Sequence, residues 1–167
     1  MSQESRSSTA FAERALEFVS DNSVVGLGTG HAATDFIYAL GRRVKTGLVV
    51  RGVPTSEASA ELARQLHIPL VSLSEVDSID VAVDGADEVT PALDLIKGFY
   101  GSLLREKIVA AAAKRLVIVV GGEKLVATLG TRGKLPVEVA PFGLSFCQQR
   151  IEGLGFKSHP RMHGADL

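Results

Sequence analysis

Short, uninterrupted apolar runs alternate along this chain with longer segments whose apolar residues fall on one helical face. Residues 9–20, TAFAERALEFVS, put Phe11, Ala15, Phe18 and Val19 on one face, with Glu13, Arg14 and Glu17 elsewhere. The β-branched run SVVGLGTG follows and opens into glycines. Residues 31–44, HAATDFIYALGRRV, predict a helix with Phe36, Ile37 and Leu40 inward, weakened near its end by Gly41. GLVVRGV (47–53) predicts a second strand. TSEASAELARQL (55–66) predicts a helix that Thr55 or Ser56 can cap, with Glu57 in its first turn. IPLVSL (68–73) and IDVAV (79–83) predict further strands. SLLREKIVAAAAKR (102–115) predicts a strong helix with Lys114 and Arg115 at its C-terminal end, where the dipole favours cations. LVIVVGG (116–122) predicts another buried strand.

Strands that are apolar throughout, separated by amphipathic helices, call for a parallel sheet covered on both faces. The predicted fold is therefore α/β, a doubly wound, mostly parallel sheet of Rossmann-like type. After Gly130 the pattern changes. KLPVEVAPFG (134–143) reads as an irregular strand between prolines, and LSFCQQRIEGLG (144–155) as a short helix. FKSHPRMHGADL (156–167) is too short and polar to close a layer. No internal repeat and no low-complexity linker interrupts the chain.

Composition narrows the function classes. The 167 residues are 46% apolar and 22% charged, which suits one globular domain with a real core. The net charge of -1 and the lack of a basic run point to neither nucleic acid nor an anionic membrane surface. Cys147 is the only cysteine, so no internal disulfide or metal-binding pair is available. His31, His67, His159 and His163 form no ligand pattern with carboxylates, so no metal is expected. MSQESRSSTA lacks the pattern of a signal peptide, and no apolar stretch approaches the roughly 20 residues that span a bilayer. The expectation is a soluble, cytoplasmic protein.

Two places carry candidate chemistry. GLGTG, Gly26 to Gly30, lies between a predicted strand and a helix, where backbone N–H groups and the helix dipole favour an anion. It lacks the third glycine and later acid of a dinucleotide fingerprint, and no Gly-Lys-Ser/Thr makes it a Walker loop. A tight turn that binds nothing explains the loop as well as a phosphate site does. The second place is VAVDGADEV, where an apolar strand ends in Asp84, Asp87 and Glu88. LIKGFYGSLLREK follows, with Lys97, Arg105, Glu106 and Lys107. Taken singly, Glu88 reads as a solvated turn residue, Asp87 as a turn cap, Glu106 as an exposed helical acid and Lys97 as a surface lysine. Together, phosphate loop, carboxylate base and lysine suit aldose–ketose isomerisation. A carboxylate can shuttle the proton between adjacent carbons, and a cation can stabilise the enediolate, with no metal required.

At these residues the sequence resembles the type A ribose-5-phosphate isomerases. VVGLGTG, GVPTSEAS, VDGADEV, LIKG, LLREKIV and LPVEVAPFG occur in family order and spacing, up to about Gly155. The resemblance implies interconversion of D-ribose 5-phosphate and D-ribulose 5-phosphate, without cofactor or metal, by a homodimer or homotetramer. It implies Glu106 as the proton-shuttling base and Lys97 as the group that stabilises the enediolate. Asp84 and Asp87 would hold sugar hydroxyls and assist ring opening. Thr29, Gly30, His31 and Ala32 would lie at the phosphate. Gly85, Ala86, Gly98, Phe99, Tyr100 and Lys124 would line the substrate site. The implied organisation is a catalytic Rossmann-like domain over 1–133 and part of a second α+β domain over 134–167.

Several residues depart from the family pattern. His31 and Ala32 stand where Ser and Thr are usual, and Tyr100 where a glycine is usual. Gly121 replaces an Asp before Lys124, and Ser8 or Thr9 replaces a lysine. Tyr100 is expected to remove freedom at positive φ and to add bulk beside the site. Family members continue past the equivalent of Leu167, so a fragment, a truncated gene product or a degenerate copy is expected. Such a chain would be less stable, would self-associate through residues such as Leu135, Val137, Val139, Phe142 and Phe146, and would isomerise weakly or not at all. The alternative to an isomerase is then a non-catalytic relative that binds a sugar phosphate. An amino-sugar phosphate isomerase or a coenzyme A transferase fits the DGADE, Lys97 and Glu106 pattern less well.

Overall fold

The computed structural model describes residues 3–161, and their side chains from Ala10 onward. His163 and the side chains of Ser8 and Thr9 lie outside the described residues. The main elements are α1 (Gln3–Leu16), β1 (Ser23–Leu27), α2 (His31–Lys45), β2 (Val50–Pro54), α3 (Glu57–Gln65) and β3 (Val81–Asp84). They continue as β4 (Glu88–Val89), β5 (Leu95–Ile96), α4 (Leu103–Ala112), β6 (Leu116–Ile118) and α5 (Leu144–Gly153). Four strands form a parallel sheet in the order β2-β1-β3-β6. β4 and β5 form a separate antiparallel pair. The fold is α/β, with a mostly parallel sheet flanked by helices.

The order of the parallel sheet positions the site. The chain steps outward from β1 to β2 and then returns to the other side of β1 to form β3. In open α/β sheets, ligands lie beyond the carboxyl ends of strands at such a reversal. Here those ends are Leu27, which leads into the glycine loop, and Asp84.

Alternation along the central strands divides the core in two. Val25, Leu27, Val81 and Val83 pack with Ala12, Ala15 and Leu16 of α1, Phe36, Ile37 and Leu40 of α2, and Ala63 of α3. Val24 and Ala82 point the other way and pack with Val53, Ile79 and Val109 of α4. Phe36, Leu27, Ile37 and Leu40 are among the largest fully buried side chains. Each contributes on the order of 1.5–3 kcal/mol by leaving water.

Several elements differ from their sequence expectation. α1 ends at Leu16 and buries the small residues Ala12 and Ala15, so Phe11 and Phe18 stay partly exposed. Phe18 instead lies under the guanidinium of Arg115, 5.4 Å from its ring centroid. Residues 68–72 make only an isolated bridge from Leu70 to Gly52, because Pro69 has no N–H to extend a ladder, and Leu73 opens a 3-10 turn. α4 stops at Ala112, so Lys114 and Arg115 lie beyond its last turn, and Lys114 pairs with Asp80 at 2.8 Å. β6 is an edge strand and is only partly covered, not buried. Residues 134–143 form no strand; they end in a single 3-10 turn, Pro141–Gly143. Of the two possible caps of α3, Ser56 accepts from the Ser59 N–H, while the Thr55 hydroxyl donates to the Leu27 carbonyl.

The chain divides after Pro136 into two compact units. In the second, α5 has no buried residue. Val137, Phe142, Phe146, Leu154 and Phe156 are exposed there, and Val139 is half-buried; Leu135, in the first unit, is exposed too.

Candidate active site

The site begins with a close approach of two strand ends. Asp84, the last residue of β3, is 4% exposed. Its carboxylate slides beneath the glycine loop, against Gly28, where any Cβ would collide with it. Asp84 Oδ1 accepts from the N–H of Gly85 at 2.7 Å and of Thr29 at 3.3 Å. The carboxylate thus ties the end of β3 to the loop after β1.

Lys97 follows β5, and Glu106 lies in the first turn of α4. Lys97 Nζ is 3.0 Å from Asp84 Oδ2 and 3.3 Å from Glu106 Oε2, and it donates to the Gly85 carbonyl. Glu106 is 3% exposed, so it is no surface helical acid. Its Oε2, though within ion-pair distance of Lys97, accepts no well-aligned hydrogen bond. A buried carboxylate therefore sits beside an ammonium group. Burial raises the Glu106 pKa, the charges of Asp84 and Asp87 push the same way, and Lys97 opposes them. Burial also raises Asp84, against the pull of Lys97 and the backbone N–H groups of Gly85 and Thr29.

The other end of the site is the start of α2. Gly30, its N-cap, has φ 102 and makes no side-chain cap bond. The Thr29 hydroxyl turns inward, 2.7 Å from the Thr55 hydroxyl and donating to Ser56 at 2.9 Å, which pins the loop from below. Tyr100 lies against Gly30, and its hydroxyl is 2.7 Å from His31 Nδ1. Tyr100 is not at positive φ; Gly98 and Gly101 on either side take φ 107 and 79. The freedom at positive φ that Tyr100 gives up is therefore not used at this position.

These parts enclose one cavity of about 230 Å³. That is below the roughly 300–1,000 Å³ of sites for drug-sized ligands and suits a smaller molecule. Thr29, Gly30, His31 and Ala32 line one end. Gly85, Ala86, Asp87, Lys97, Gly98, Phe99, Tyr100 and Glu106 form the walls, and Lys124 joins them from the 3-10 turn Gly122–Lys124. Asp84 is held just beneath, bonded to two lining residues. Asp87 accepts from the Phe99 N–H at 3.2 Å.

Sequence reasoning missed one acid at the site and misjudged another nearby. Glu123 lines the cavity, its carboxylate folded over Gly121, and its place beside Lys124 was the one available sequence signal. Glu88 is no solvated turn residue: it is 2% exposed. It accepts from the backbone N–H groups of Gly130 at 2.6 Å and Arg132 at 2.5 Å. Desolvation works to raise its pKa, but the N–H groups of residues 130–133 outweigh it and hold the carboxyl below its ordinary value. Among the described residues, no group of three or more His, Cys, Asp or Glu is placed to hold a metal ion.

The arrangement defines a class: a Rossmann-like α/β protein with a small polar site at the reversal of strand order. The chain belongs to the ribose 5-phosphate isomerase A (phosphoriboisomerase A) family, whose profile matches residues 51–166. It is 51% identical over 146 residues to a ribose-5-phosphate isomerase A of Roseiflexus sp. (strain RS-1), covering 86% of this chain and 63% of that one. It is 53% identical over 141 residues to that of Bradyrhizobium diazoefficiens, covering 84% and 58%. The chain thus spans about three-fifths of the length of these curated relatives. A D-ribose-5-phosphate isomerase solved in complex with phospho-erythronic acid superposes with a TM-score of 0.91 at 40% identity, over 98% of this chain and 72% of that one. The ribose 5-phosphate isomerase A of Methanocaldococcus jannaschii gives 0.85 at 41% identity, over 89% and 66%.

Proposed function

We propose that the protein is an aldose–ketose isomerase that interconverts D-ribose 5-phosphate and D-ribulose 5-phosphate, in the non-oxidative branch of the pentose phosphate pathway. The observation that carries this reading is the buried Glu106 carboxylate, 3.3 Å from the Lys97 ammonium in the same cavity as the glycine loop. Asp84 and Asp87 hold the sugar hydroxyls and assist ring opening. Glu106 removes the C2 proton of the open-chain aldose, and the C1 oxygen takes the charge of the resulting enediolate. Lys97 stabilises that oxygen. The O2 proton moves to O1, and Glu106 returns its proton to C1 to give the ketose, so no external oxidant or reductant is consumed. The phosphate is held by the loop from Thr29 to Ala32 at the start of α2, and by Lys124.

On the same reading, residues 1–133 are the catalytic domain and 134–167 belong to a second α+β domain. The enzyme works as a homodimer or homotetramer in the cytoplasm, on a small sugar phosphate, without cofactor, metal, nucleic acid or membrane. The test is turnover of ribose 5-phosphate by the chain and its Glu106→Gln variant. The variant should lose about 10²–10⁴-fold in rate while ribose 5-phosphate still raises its melting temperature. A Gln variant that turns over within a few-fold of its parent removes Glu106 from the role of base.

A further inference from the structure

We propose that Tyr100 is a positioning residue for the anion end of the cavity: it holds the His31 imidazole so that Nε2–H donates to the phosphate. The inference rests on the sugar-phosphate reading above and adds a donor side chain, with its support, to the backbone groups of the loop.

Three contacts define the arrangement. The Tyr100 hydroxyl lies 2.7 Å from His31 Nδ1 across 69 residues of sequence. The two rings meet edge to face, centroids 5.5 Å apart at 84°. The Tyr100 ring also covers the loop itself, since a Cβ on Gly30 would come within 2.9 Å of its Cδ2 and Cε2. Gly30, at φ 102, is the residue type that permits this approach. The segment carrying Tyr100 is fastened on both sides. The Phe99 N–H donates to Asp87, the Gly101 N–H donates to the Gly98 carbonyl at 3.0 Å, and the Phe99 ring braces Tyr100 edge-on at 5.3 Å.

The chemistry follows from the hydrogen-bonding capacity of the pair. A phenol hydroxyl that donates to Nδ1 leaves the proton of a neutral imidazole on Nε2. If the imidazole is protonated, Nδ1–H donates to the phenol oxygen and Nε2 again carries a proton. An anion in the cavity favours both of these states over the remaining tautomer, in which Nε2 is only an acceptor. His31 and Tyr100 both line the cavity, and the first turn of α2 contains no acid to compete with a bound anion. Tyr100 therefore works through His31 rather than obstructing the loop, contrary to the crowding expected from its size.

The test is calorimetric titration of the full chain with ribose 5-phosphate, inorganic phosphate and unphosphorylated ribose, alongside His31→Ala, Tyr100→Phe, Tyr100→Gly and the His31→Ala/Tyr100→Phe double variant. Each of the three single variants should weaken both phosphate-bearing ligands on the order of tenfold, the size of one hydrogen bond to a charged group. Ribose should bind each of them as it binds the parent. The double variant should bind no more weakly than His31→Ala alone, because one residue acts through the other. In turnover, the rise in KM should exceed any fall in kcat. Tighter or unchanged phosphate binding in Tyr100→Gly or Tyr100→Phe, additive losses in the double variant, or a parent that binds neither anion overturns the proposal. Absence of turnover with the binding shifts intact counts against the isomerase alone. Turnover with unshifted phosphate binding counts against the His31–Tyr100 pair alone.

Discussion

Glu106 carries two opposing influences that mutation can separate. Burial and the neighbouring Asp84 and Asp87 raise its pKa, and Lys97 lowers it. A proton-abstracting base must be ionised, so the acid limb of kcat/KM should lie above the range of an ordinary glutamate. Lys97→Met removes the lowering influence and should move that limb to still higher pH, while also reducing the rate. Asp84→Asn removes a raising influence and should move it down. Measured pH–rate profiles in which the two variants shift the same way would contradict this account. The stability consequence has a definite sign. A carboxyl whose folded pKa is raised holds its proton more tightly in the native state than in the unfolded chain. Asp84 and Glu106 therefore favour the fold at acid pH, and that advantage is lost as pH rises from the unfolded value through the raised one. These two side chains trade stability at neutral pH for a functional arrangement.

At the scale of elements, Glu88 opens β4 and anchors the loop from Thr128 to Gly133. The chain just before this loop meets the same ribbon, where the Val126 N–H donates to the Val89 carbonyl at 2.9 Å. The Glu88 pKa is lowered, so its contribution to stability is present above the unfolded value and is lost as pH falls through the folded one. Glu88→Gln keeps the shape but loses the charge and one acceptor. Its melting temperature should fall relative to the parent at pH 7, and the gap should close as the pH is lowered through the parent carboxyl's titration. A constant gap between pH 7 and pH 3 would show that the charge of Glu88 is not what holds the loop.

On the scale of the whole chain, the apolar surface is unevenly distributed. The core of the first unit is closed around Phe36, Leu27 and Leu40. In the second, Phe142, Phe146, Leu154 and Phe156 are each at least 67% exposed. Large exposed aromatic side chains favour association. Sedimentation should therefore show a weight-average mass that rises with protein concentration, and Phe142→Ser with Phe146→Ser should reduce the rise. A concentration-independent monomer mass in the parent would mean that these side chains drive no association.

How much of this was legible beforehand depended on whether the signal was local. The parallel α/β sheet was legible because buried strands are apolar on both faces and the helices between them carry one apolar stripe, as with Phe36, Ile37 and Leu40. The residues of the cavity were named through the family resemblance that DGADE, LIKG and LLREK carry; taken singly, the same residues read as turn, surface and exposed helical positions. Their mutual distances were not legible. The 3.0 and 3.3 Å contacts of Lys97 depend on how β3, β5 and α4 pack, and packing is a non-local balance that no single segment encodes. The burial of Glu88 depended on backbone N–H groups more than 40 residues away, and that of Glu106 on its site being closed by other elements. Lys114 lies beyond its helix because its N–H donates to the Ile79 carbonyl at 2.8 Å, a pairing with a distant segment that competes with the last helical turn. The sequence alone determined which groups could do the chemistry. Tertiary structure decided which of them lost their water, and with it their protonation and their partners.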